Sequence, residues 1–97
     1  MKSVIQSDKE RCYLCGRNAA MEPLDCHHVY FGPYRSKSER YGLTVYLHHW
    51  QCHINGVHRY ADQCRAVQDR VQRIAMEHYG WTEDDFREIF GRSYLEE

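Results

Sequence analysis

Cys26, His27 and His28 stand side by side in the stretch LDCHHVYFG, residues 24–32. Neighbours along a strand point to opposite faces, so two adjacent histidines cannot both serve one packed surface. In a reactive site the pair is easier to explain. One imidazole can hold a metal ion while the other moves a proton near neutral pH. The surrounding sequence supports a site: His27, His28, His48, His49, His53 and His58 bunch together, and of the seven histidines only His78 lies apart.

A second chemistry is written in the cysteines. Cys12-x-x-Cys15 has the spacing of half a zinc site, a knuckle that brings two thiolates together under backbone amides. His49-x-x-Cys52 repeats that spacing after an expected strand and would complete a Cys3His set for structural Zn2+. A one-residue shift would put His48 in place of His49. Five cysteines are an odd number for a disulfide framework. The chain also lacks the βαβ patterning in which a redox CxxC sits. Zinc can contribute roughly 10–16 kcal/mol to folding a small module.

These groups need elements to position them. The 97 residues suit a single domain of the α+β class, and a core this small gains much from a metal staple. We expect a polar lead-in over 1–10, knuckles and a metal site over 11–60, and helices over 60–95. Within the middle part, 12–17 reads as a tight knuckle with Gly16 free to take a positive φ. Residues 21–31 read as a strand, which Gly32-Pro33 breaks. A charged loop follows, and 43–49 alternates as a second strand. From Tyr60 to Tyr79 the period becomes helical, with Cys64, Val67, Val71, Ile74 and His78 on one stripe and Gly80 as the stop. Thr82 and Asp85 form a capping-box pattern for a last helix bearing Phe86, Ile89 and Phe90, ended by Gly91.

Charge is divided unevenly. The formal net charge is −1, but residues 82–97 hold six acids against two bases. The stretch YFGPYRSKSERYG sets Arg35, Lys37 and Arg40 among four aromatic residues. That mixture suits phosphates and sugars, although by itself such a stretch is more often plain solvated surface. There is no signal peptide and no apolar run long enough to span a membrane, so we expect no membrane partner and a cytoplasmic location with reduced thiols.

Taken in order, CYLC, DCHHV and HWQCH resemble the HNH nucleases, the ββα-metal family with zinc-knuckle support. GVHRYADQCRAVQDRVQRIAMEHYG and the closing FREIFGRSYL resemble small phage- and prophage-encoded members. The resemblance covers about residues 11–95. It implies a metal-dependent endonuclease or nickase acting on double- or single-stranded DNA. In that reading His28 is the general base, and His27 and His53 hold Mg2+ or another divalent cation. His58 is a further ligand or a phosphate contact, and Tyr30, Arg35, Lys37 and Arg40 contact the nucleic acid. Phage proteins are further candidate partners, and the chain would act as a monomer or homodimer. The family's asparagine, which orients the base, has no counterpart in SERYGLTVYLH. Thr44 stands nearest its place, with Ser38 as the other choice. A catalytically weak zinc-supported module that binds nucleic acid or protein is the alternative reading, and a purely structural zinc domain is the third.

Overall fold

Strands β1 (Leu24–His28) and β2 (Thr44–His48) pair antiparallel, with Leu24 opposite His48 and His28 opposite Thr44. The computed structural model describes residues 2–20 and 22–95; Met21, at the head of the expected first strand, lies outside the described residues. Alternation along β1 sends Asp25 and His27 to one face and Cys26 and His28 to the other. His27 is buried and Cys26 exposed. β2 is buried at every position except Tyr46.

The polar lead-in explains that burial. It runs along β2, where Ser3 Oγ donates to the Thr44 carbonyl and the Tyr46 N–H donates to Gln6 Oε1 at 2.8 Å. The Tyr13 N–H adds a bond to the Tyr46 carbonyl at 2.7 Å. A bare strand edge is thus satisfied without a third strand.

The charged stretch between the strands is not the loop expected from its sequence. After a short 3₁₀ turn (Gly32–Tyr34) it forms helix α1, Arg35–Tyr41. Its one buried residue is Ser38, whose hydroxyl donates to the Tyr30 carbonyl at 2.6 Å and accepts the Tyr30 N–H at 3.1 Å. With Ser38 its only buried residue, this helix has no apolar stripe to read. Gly42 closes it at φ 70°, where a Cβ would stand 2.5 Å from the Lys2 carbonyl oxygen. Only glycine meets both demands.

β2 runs into a π-helical segment, His49–Val57, and then into α2, Ala61–Tyr79. Val67 and Val71 of α2 are buried as the periodicity requires, together with Gln68, Gln72 and Ala75, which the expected stripe did not include. Cys64 and Ile74 are half-buried and His78 is exposed, so the stripe ends a turn early. Helix α3, Glu83–Phe90, carries the expected capping box: the Asp85 N–H donates to Thr82 Oγ1 and the Thr82 N–H to Asp85 Oδ2. Phe86 and Phe90 of α3 pack on Tyr30, with ring centroids 5.2 and 4.8 Å away. The result is a small α+β structure with a two-stranded antiparallel sheet. No helix of the described residues is long and apolar enough to cross a membrane.

Candidate metal centre and histidine cleft

The knuckle folds as its spacing demands. The Gly16 N–H donates to the Cys12 carbonyl at 2.9 Å, with Gly16 at φ 75°. Cys12 and Cys15 thereby meet His48 and Cys52, and the four ligand atoms lie within 4.8 Å of one another. Cys15 Sγ is 3.2 Å from His48 Nδ1. His48 Nε2 lies 2.7 Å from the Asn18 carbonyl, which can only accept. The ring proton therefore sits on Nε2, and Nδ1 offers its lone pair to the thiols. These side chains lie close enough to hold a metal such as zinc.

The donor chemistry fits a dication. Burial pushes the Cys12 thiol up, but backbone groups of Cys15 and His48, with the Cys52 thiol, outweigh it and bring it down to about 7. The Cys52 thiol is pushed up to about 12, first by burial and then by Cys12 and Cys15. Crowded thiols resist ionising together, and a bound dication removes that conflict.

His48 thus takes the place expected for His49, and the correction has a simple cause. His48 is the last residue of β2 and buried, while His49 opens the π-helical segment and is half-exposed. His49 turns the other way, and its Nδ1 donates to Asp25 Oδ2 at 2.6 Å.

His27, His53 and His58 form a second cluster, with nitrogens within 4.8 Å of one another. Ring centroids are 5.0 Å apart for His27–His53, 5.1 Å for His27–His58 and 4.6 Å for His53–His58. Asp25 aims one of these rings. Its Oδ2 also accepts from His53 Nδ1 at 2.9 Å, which leaves His53 Nε2 unprotonated and facing His58 Nε2 at 3.0 Å. Burial pushes the Asp25 carboxyl up, yet the bonds from His53 and His49 prevail and hold it below the usual range. Asp25 was not singled out in the sequence, where one acid beside a cysteine carries no signal.

No family model, curated protein or solved structure matches the chain. Its chemistry is therefore read from its own geometry.

His28 and the three-imidazole cluster open on one cleft of about 210 Å³, which Arg35 and Phe31 also line. His28 Nε2 lies 2.7 Å from Glu39 Oε2 on α1. A carboxylate only accepts, so Nε2 carries the proton and Nδ1 is left with a lone pair. The His28 N–H holds the Glu39 carboxyl below its ordinary range. Thr44, expected to orient His28, is buried and pairs directly with it across the sheet, but the hydrogen bond to the ring is made by Glu39.

The expected nucleic-acid contacts divide. Arg35 lines the cleft. Tyr30 does not reach solvent: it is 1 % exposed, and its hydroxyl donates to the Gln68 carbonyl. Past the end of β1 alternation lapses: Val29 and Tyr30 are both buried, and Tyr30 packs on the α3 aromatics. Lys37 donates to the Ile89 carbonyl at 2.7 Å, which commits it to the end of α3. Arg40 lies over the Tyr41 ring at 5.7 Å, in the last turn of α1.

Burial, followed by the fields of His53, His58 and His28, lowers the His27 pKa to about 3. The unfolded chain binds this proton below about 6.5 and the folded chain does not. Stability present above that pH is therefore lost as pH falls. Without added divalent cation the loss should reach about 2 kcal/mol by pH 5, from 1.36 kcal/mol per unit. Urea midpoints at pH 7.5, 6 and 5 measure it, and His27→Asn should flatten the profile. An unchanged slope in that variant would assign the loss elsewhere.

Proposed function

We propose that the chain is a metal-dependent endonuclease or nickase of the HNH, ββα-metal kind, hydrolysing DNA phosphodiester bonds. One observation carries the reading. A histidine polarised by a carboxylate, His28 with Glu39, opens on the same cleft as three converging imidazoles. Proton acceptor and cation site would then line one cleft, as phosphodiester hydrolysis requires.

His27, His53 and His58 would hold the cation. When bound, it neutralises charge on the phosphate and on the leaving oxygen. Mg2+ is the usual biological candidate, but a site of three imidazoles suits Ni2+ or Fe2+ better than an ion that prefers oxygen ligands. His28 takes the proton of the attacking water on Nδ1, while Glu39 keeps Nε2 protonated and the ring aligned. Arg35 is placed to meet a phosphate. The resemblance to small phage-encoded proteins supports the same reading.

Supercoiled plasmid with Mg2+, Mn2+ or Ni2+ tests it. The chain should convert supercoiled DNA to open circles. Absence of nicking with all three ions, in protein whose cysteine site is loaded, would overturn the proposal. A narrower outcome concerns Asp25. Asp25→Ala releases His53 Nδ1 and should weaken Mn2+ binding by about 10–100-fold, the usual effect of losing an orienting carboxylate. Calorimetric titration of zinc-loaded protein reads this directly, and an unchanged affinity would remove Asp25 from the site.

A further inference from the structure

Phe31 is 42 % exposed, an unusual place for a phenylalanine beside polar chemistry. It lines the cleft with His28 and Arg35, its ring 6.0 Å from that of His27 and 5.3 Å from that of His58. Local structure puts it there. Tyr30 turns inward, and Gly32 at φ 65° followed by Pro33 ends the extended run. The side chain between them is left partly exposed, where it lines the cleft. Histidine rings adjoin it, and Arg35 adds a positive charge to the same lining.

A flat apolar face beside a cation and a phosphate-hydrolysing site is matched by one chemistry, a nucleobase attached to the bound phosphate. In a duplex the base faces are already stacked on one another. Only an unpaired base presents a free face, and aromatic rings take such bases with little regard to sequence. We propose that Phe31 is a stacking platform for an unpaired nucleobase next to the scissile phosphate, so that single-stranded or locally unpaired DNA is the preferred substrate. The inference rests on the nuclease reading for the identity of that phosphate.

Binding by the His28→Ala chain tests it without turnover. A short labelled single strand and the same sequence as a duplex are titrated in Mn2+. The single strand should bind more tightly. Adding Phe31→Ala should weaken single-strand binding by about 5–150-fold, the range for losing one stacked base, and change duplex binding less than about twofold. Phe31→Trp should restore the affinity and Phe31→Leu should not. A 2-aminopurine in the strand should be quenched by the phenylalanine protein and not by the leucine variant. Equal losses on both substrates, no loss, or full affinity with leucine would overturn the inference. Plasmid nicking without a Phe31-dependent strand preference removes this inference alone. Failure to nick, with that preference intact, removes the nuclease reading and keeps the platform.

Discussion

Cys12→Ser and Cys52→Ser chains are expected to be unfolded in zinc-containing buffer at neutral pH, where the parent chain is folded. Cys12 and Cys52 are both buried, and together with Cys15 and His48 they join the N-terminal knuckle to the end of β2. A structural zinc supplies roughly 10–16 kcal/mol. The net stability of a small domain is about 5–15 kcal/mol. Loss of a thiolate ligand therefore removes about as much as the whole fold possesses. Far-UV circular dichroism and zinc content after dialysis measure the outcome. Cys26→Ser and Cys64→Ser are the controls and should retain one tightly held zinc, since neither thiol belongs to the set. His48→Ala should behave like the ligand cysteines and His49→Ala like the controls. A folded, zinc-free Cys12→Ser protein would show that packing alone sustains the structure.

The second large effect belongs to His28. His28→Ala should slow plasmid nicking by on the order of 10²–10⁴-fold, the contribution of a positioned general base. Glu39→Gln should cost about 10–100-fold, because an amide can present its NH2 and no longer dictates which ring nitrogen carries the proton. Glu39 is exposed, so its replacement should leave the circular dichroism spectrum unchanged. The double variant separates positioning from general damage. If Glu39 acts through His28, then His28→Ala with Glu39→Gln is no slower than His28→Ala alone. Additive losses would give Glu39 an independent role.

Most of the elements were legible in the sequence because they carry periodic apolar signals or distinct stop residues. Helix α3 is an example: Thr82, Asp85 and Gly91 mark its ends, and its aromatic residues mark its buried face. Helix α1 carries neither signal. RSKSER is polar all round and is fixed by a hydroxyl–backbone exchange between Ser38 and Tyr30, a tertiary contact that local sequence does not encode. Missing that helix hid Glu39, since its approach to His28 depends on the stretch being wound. The sequence pointed to His27, His53 and His58, and the fold brings them together. Between His48 and His49 spacing could not choose, because a single residue at the strand end decides which ring faces the knuckle. Tyr30 misled for a related reason. Aromatic residues beside arginines suggest a surface, yet this one supplies the core to which α3 docks.

The π-helical segment His49–Val57 builds part of both centres. Cys52 and His53 are consecutive residues of its wide turns, one directed to the sulfur-rich set and the other to the imidazoles. His58, five residues on, closes a backbone bond to the His53 carbonyl at 3.1 Å and shares its cluster. An ordinary α-helix, with its tighter repeat, would rotate these partners out of step. One segment thus supplies donors to both clusters, so a substitution that rewinds its turns would displace Cys52 and His53 together.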